Sequence, residues 1–249
     1  MTRYPHRIRL RGPWECEPLE RRPPDCSGRL RDPARLRMTL PCRWAASGLA
    51  DFAGRVRFRR RFGYPGRIDD YERVWLTFEG ASDRAAVRLN GSDLGEHAGD
   101  GPFEFDVTRL LRARNELAVD VDGTAERGGL WGEVALEVRC TAFLRGVRVW
   151  AEGAGELHAA GLVVGEAERP LDLYILLDGA TAAYTTVAAA PAGAPFHIIA
   201  EKPPPRGEAQ AGEVGRPSVA QVDLVNGAVV WYTTAQELAI EPGTPPADS

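Results

Sequence analysis

The chain has 249 residues, of which 44% are hydrophobic and 27% charged, and its formal net charge is −4. That length holds one large β domain or two of ordinary size, and either can bury a real core. The acidic balance excludes a general affinity for nucleic acid or for an anionic membrane surface, and of the 31 basic residues only Lys202 is a lysine, the arginines being spread among matching acids.

In chain order, Met1 to Gly12 alternates basic and apolar residues and never makes the unbroken apolar stretch of a signal peptide, so a cytoplasmic protein is expected. A proline-rich tether, Pro18 to Pro41, follows, with Trp14 before it and Trp44 after. Period-two alternation then takes over. Arg55 to Phe62 puts Val56, Phe58 and Phe62 on one face and Arg57, Arg59 and Arg61 on the other. Arg60 falls on the apolar face, which calls for the strand's rim or a carboxylate partner. Val74, Leu76 and Phe78 repeat the pattern, and Val87 and Leu89 run into Asn90-Gly91. That dipeptide suits a two-residue hairpin turn because both central positions need positive φ. Phe103, Phe105 and Val107 come next. One short helix is predicted from Thr108 as N-cap, through Leu110 and Leu111, to an exit at Asn115. Leu117, Val119 and Val121, then Val134, Leu136 and Val138, complete a set of strands with turns every roughly 8 to 12 residues, the pattern of a sandwich or jelly roll.

A second strand-rich block begins after Cys140: Val147 and Val149, Leu157 to Val164, Leu171 to Leu177, Val219 to Val225 and Val229 to Tyr232. Lys202 to Pro217 reads as a long exposed loop and residues 243–249 as a disordered tail. No stretch approaches the roughly 18 apolar residues of a membrane span. Ala182 to Ala200 comes nearest and is broken by Pro191, Gly193, Pro195 and His197. Cys16, Cys26, Cys42 and Cys140 make no C-x-x-C pair and have no histidine at metal-ligand spacing. A disulfide in the N-terminal segment and free thiols in a reducing compartment both stay open.

The middle segment resembles the sugar-binding jelly-roll domain of glycoside hydrolase family 2, the β-galactosidase and β-glucuronidase group. The likeness runs through Gly54-Arg-Val-Arg-Phe-Arg-Arg-Arg-Phe62, Arg73-Val-Trp-Leu-Thr-Phe-Glu-Gly80 and the hairpin Val87-Arg-Leu-Asn-Gly91. It continues through Leu94-Gly-Glu-His97, Gly101-Pro-Phe-Glu-Phe-Asp-Val-Thr108 and Asn115-Glu-Leu-Ala-Val119, and ends at Gly128-Gly-Leu-Trp-Gly-Glu-Val134. The block from Val147 to Ile240 is similar, by order and strand pattern, to the immunoglobulin-like sandwich that follows in those enzymes. The resemblance implies an all-β fold: a galactose-binding-like jelly roll followed by an immunoglobulin-like β-sandwich. The expected divisions are an N-terminal lead-in packing on the jelly roll (1–53), the jelly roll (54–140), the sandwich (141–242) and the tail. In that family a (β/α)₈ barrel of about 250 residues comes third and carries both catalytic glutamates. The chain ends where that barrel would start, which implies a non-catalytic protein. Asn115-Glu116 has the letters of the family's acid/base dipeptide but falls in a strand entry of the jelly roll.

Catalytic signals of other kinds are lacking. No G-x-S-x-G, H-E-x-x-H or phosphate-cradling loop occurs, and Ser82 and Ser92 have no base positioned in sequence. A retaining glycosidase needs two carboxyls about 5 Å apart, and pairs such as Asp69-Asp70 or Asp120 and Asp122 read as solvated surface instead. Sugar binding asks for an aromatic platform and a few planar polar groups. The best constellation is Trp131 in the glycine-rich loop Gly128 to Gly132, with Arg127, Glu126, Asp100 and His97 as polar partners. The plainer readings are a Trp131 that packs the jelly roll against the second domain, a structural His97, and Asp106 and Thr108 as turn and cap groups. No cofactor is expected. Asp100, Asp120 and Asp122 are the oxygen donors for a structural calcium, but their spacing marks no site. Three functions are weighed: a non-catalytic carbohydrate-binding or accessory protein, a structural module docking on a separate protein partner or on itself, and a glycosidase with its acids in an unrecognised cleft.

Overall fold

The computed structural model describes residues 4–21, 36–152, 155–201 and 218–240. Cys26, the loop expected at Lys202 to Pro217 and the tail expected at 243–249 lie outside the described residues. The fold is all-β, a jelly-roll sandwich followed by an immunoglobulin-like one, and the contacts divide the chain into Arg7–Val138 and a unit made of Arg139–Ser249 with Met1–His6.

In the first unit, twelve strands run in chain order: β1 (His6–Arg9), β2 (Trp14–Arg21), β3 (Leu36–Met38), β4 (Cys42–Arg43), β5 (Gly54–Gly63) and β6 (Glu72–Phe78). They continue as β7 (Arg84–Leu89), β8 (Ser92–Ala98), β9 (Phe103–Asp106), β10 (Arg114–Gly123), β11 (Gly129–Leu130) and β12 (Val134–Cys140). One sheet has the order β3-β2-β5-β10-β7-β8 and the other β1-β12-β6-β9, while β4 and β11 pair alone. Alternation fixes which side each residue takes. Val56, Phe58, Val87, Leu89, Leu117, Val119 and Val121 are fully buried from the first sheet, as are Val74 and Leu76 from the second. Trp14 and Trp44, from the segment before residue 54, are also fully buried, and β2 pairs with β5 along its length. The N-terminal segment therefore supplies strands and core.

The opposite face of the six-stranded sheet is a lattice of charge. Arg57 donates to both Asp120 oxygens at 2.6 and 2.7 Å, and Arg55 to both Asp122 oxygens at 2.9 and 3.1 Å. Arg88 adds a second guanidinium to Asp120, Arg61 meets Glu116, Arg59 meets Glu17 and Arg84 meets Glu96. Antiparallel register produces this, because Asp120 stands opposite Arg57 and Asp122 opposite Arg55. Arg60, inward on β5, finds a backbone partner rather than a carboxylate: its Nη1 donates to the Pro13 carbonyl at 2.8 Å.

The hairpin forms as its sequence predicts, with Asn90 and Gly91 at φ 54° and 84°. The predicted helix does not form. Thr108–Leu110 is a single 3₁₀ turn with Val107 at its N-cap. The Thr108 hydroxyl accepts from the Val74 N–H at 2.9 Å and donates to Asp106, so it serves the neighbouring strand instead of capping.

The second unit holds β13 (Ala142–Glu152), β14 (Glu156–Gly165), β15 (Leu171–Leu177), β16 (Ala180–Val187), β17 (Ala194–Glu201), β18 (Val219–Asn226), β19 (Val229–Glu237) and β20 (Ala239–Ile240). Its sheets have the orders β17-β14-β13-β20 and β16-β15-β18-β19. Leu171, Leu173, Ile175, Val222 and Leu224 face Val149, Leu157, Ala159 and Val163 as the buried set. Tyr4 exchanges backbone hydrogen bonds with Val230 and Thr233, so the first described residue lies along β19.

Candidate functional site

The loop around Trp131 is built by close approach. β11 pairs with β4, Trp44 N–H donates to the Gly128 carbonyl at 3.0 Å and Gly132 N–H to the Gly80 carbonyl at 3.1 Å. A Cβ at Gly128 would collide with the Trp44 indole, and one at Gly80 with the Trp131 ring. The glycines are thus present so that rings can lie on the backbone. Trp131 is half-buried, its six-membered ring against Gly80, with the Arg43 guanidinium 5.7 Å from the ring centroid. Ser82 is spent here too, its hydroxyl lying 2.6 Å from the Arg127 carbonyl and 3.0 Å from that of Gly129.

Of the residues expected to join Trp131, Arg127 and Asp100 do meet: one guanidinium nitrogen donates to both carboxylate oxygens at 2.8 and 3.0 Å, on an exposed rim. Glu126 is exposed beside them. His97 belongs elsewhere. Its ring stacks on Phe103 at 4.2 Å, Phe103 stacks on Phe78 at 4.5 Å, and the His97 Nε2 is buried with no hydrogen-bond partner among the described residues. The three carboxylates considered for calcium each hold arginine: Asp100 with Arg127, Asp120 with Arg57 and Arg88, Asp122 with Arg55. Among the described residues no group of three His, Cys, Asp or Glu side chains is set to hold a metal ion, and Cys16, Cys42 and Cys140 are free thiols.

A concavity that the sequence did not single out lies at another place in the first unit. It measures about 630 Å³ and is lined by Tyr64, Ile68, Asp69, Asp70, Glu72, Arg73, Asp106, Thr108, Arg109 and Leu110. The loop after β5 and the corner after β9 form its walls. Asp69 and Asp70, read from sequence as solvated acids, and Asp106, read as a turn group, converge there with two arginines. The only local hint was Tyr64-Pro-Gly-Arg-Ile-Asp-Asp70, an aromatic residue and paired acids on a turn.

In the second unit, Trp150, His158 and His197 stack across one sheet, with ring centroids 5.1 to 5.8 Å apart. His158 Nδ1 is 3.3 Å from His197 Nε2. Its Nε2 lies 3.2 and 3.5 Å from Glu152 and Glu156 carboxylate oxygens, without the alignment of a hydrogen bond. No helix among the described residues is long and apolar enough to cross a membrane.

Comparison with solved structures finds the whole fold inside longer enzymes. A Bacteroides fragilis protein described as a β-galactosidase superposes with a TM-score of 0.71 at 17% identity, over 94% of this chain and 41% of its own. The Bifidobacterium dentium β-glucuronidase, solved with coumarin-3-O-glucuronide, gives 0.69 at 23% identity, over 95% and 48%. A Ruminococcus gnavus β-glucuronidase gives 0.69 at 16% identity, over 96% and 46%. The chain thus spans less than half the length of each of these structures. No family model and no curated protein matches the sequence.

Proposed function

We infer that the chain is a non-catalytic, carbohydrate-binding accessory module of the kind that fronts family 2 glycoside hydrolases. One observation carries this reading: nearly the whole chain superposes on less than half of β-galactosidase and β-glucuronidase chains. The motif series from Gly54 to Val134 supports the same assignment, since in that family these domains precede the barrel that holds the catalytic glutamates. A cytoplasmic setting and a sugar ligand, rather than nucleic acid or membrane, belong to this reading. Titration with galactosides, glucuronides and mixed glycans, followed by calorimetry or NMR, is expected to show binding in the millimolar range, with nitrophenyl glycosides left intact. Absence of binding at millimolar ligand overturns the carbohydrate role. Hydrolysis that disappears on changing one acidic residue overturns the non-catalytic one.

A second reading, a structural module that docks on a separately encoded partner or on itself, is favoured by the Trp131 geometry. The residue best suited in sequence to stack a sugar lies on Gly80 beside Arg43 and serves packing there. A pull-down from the native lysate that recovers only contacts of the chain with itself counts against docking on another protein.

A further inference from the structure

The concavity between the loop after β5 and the corner after β9 has charged groups held in place by the backbone. Arg73 is the clearest case. Its Nη1 donates to the Asp70 carbonyl at 2.9 Å and to the Glu72 carbonyl at 2.7 Å, and among the described residues no carboxylate takes the rest of the guanidinium. The loop that carries it is tied on itself. Asp69 N–H donates to the Glu72 carboxylate at 2.7 Å, Glu72 N–H to the Asp69 carbonyl at 2.9 Å, and Arg67 to the Asp69 carboxylate at 2.9 Å. Across the cavity, Asp106 spends one carboxylate oxygen on the Thr108 N–H and hydroxyl, at 2.9 and 2.6 Å, and its other oxygen has no partner among the described residues. The side chains of Asp70 and Arg109 are exposed and have no partner among the described residues. Tyr64, 45% exposed, stands with Ile68 and Leu110 as the apolar part of the lining.

A positioned guanidinium, a second free one, two carboxylates with open oxygens and an exposed aromatic ring are what a pyranose requires: planar groups for vicinal hydroxyls and a ring for its C–H face. The charge count then selects among sugars. Four carboxylates (Asp69, Asp70, Glu72, Asp106) line the cavity against two guanidiniums (Arg73, Arg109), and with Asp69 already paired to Arg67 behind the lining one negative charge is left over. A carboxylate-bearing sugar would enter an excess of like charge, whereas a neutral one can use both kinds of group. We propose that this cavity binds a neutral pyranoside and discriminates against uronic acids. The proposal rests on the carbohydrate-binding reading above and places the ligand away from the loop of Trp131.

The test titrates the full chain with methyl β-galactoside, methyl β-glucoside and glucuronic acid, following NMR shifts. A neutral pyranoside is expected to bind with a dissociation constant on the order of 1 mM, the scale for a ligand of so few atoms. The double substitution Asp70→Ala and Arg109→Met, at two exposed side chains without partners among the described residues, is expected to weaken it at least about tenfold, equivalent to removing a pair of hydrogen bonds. Glucuronic acid is expected to bind at least as weakly as that variant binds the neutral sugar. Neutral sugar bound equally well by the double variant overturns the site while leaving carbohydrate binding in place. Glucuronic acid bound as tightly as the neutral sugars overturns the charge selection. No shift with any glycan overturns both this site and the broader reading.

Discussion

Asn90 holds a left-handed backbone, φ 54°, which few side chains accept, and it is repaid by its amide. Its Nδ2 donates to the Leu110 carbonyl at 2.8 Å and to Asn115 Oδ1 at 2.9 Å, while its Oδ1 accepts from the Glu116 N–H at 2.9 Å. Asn115 in turn closes on the backbone of Arg112. Asn90 was legible in the sequence because its demand is local, a turn that needs positive φ, whereas Asn115 was read both as a helix exit and as a strand entry and only the second holds. Arg60 was not, because its acceptor is a carbonyl 47 residues away that only the register brings near. Cys16 has a pH signature of its own. Burial, and then the neighbouring Cys42, push its thiol up to about 12 from an ordinary 9.0. A raised folded value stabilises fully below the unfolded value and is lost as pH climbs through the folded one, so the contribution fades between about 9 and 12. Cys16→Val is therefore expected to flatten the fall of stability across that window in urea titrations, and an unchanged slope refutes the assignment.

Strand β5 was read correctly as an alternating element, but the meaning of its outer arginines needed the partner strand. Period two says that Arg55, Arg57 and Arg59 share a face; only the pairing with β10 and β2 sets each opposite an acid. Asp120 is the junction, held by both Arg57 and Arg88 with its side chain 10% exposed. Asp120→Asn removes the counter-charge of two guanidiniums and is expected to cost about 1–3 kcal/mol in urea denaturation. Glu116→Gln, which breaks the open pair with Arg61, is expected to cost about 0.5 kcal/mol or less. Equal losses from the two would mean that burial of the pair does not govern its worth. The loop from Gly128 to Gly132 teaches the converse lesson. A glycine-rich turn next to a tryptophan looks like a ligand loop, yet the collisions found for Gly128 and Gly132 are with the protein's own Trp44 indole and with Glu79 and Gly80.

Over the whole molecule the two sandwiches were legible, since turns and alternation recur along the chain, while membership of the first sandwich was harder to see. A run of prolines conceals β2 and β3, and the contribution of Trp14 and Trp44 to the core depends on pairing with β5 and on the approach of Gly128. A fragment of residues 54–140 is accordingly expected to lack cooperative thermal unfolding, whereas residues 4–140 retain it. A sharp transition in the shorter fragment, seen by circular dichroism, would show that the lead-in is dispensable. The charged face of the six-stranded sheet has one more consequence. Its rows alternate in sign from strand to strand, so their potentials cancel within a few ångströms of the surface, well inside the roughly 8 Å screening distance of physiological salt. That face is electrostatically silent to an approaching molecule: it neither draws in nor turns away a charged visitor, and capture is left to the parts of the surface where the signs do not balance.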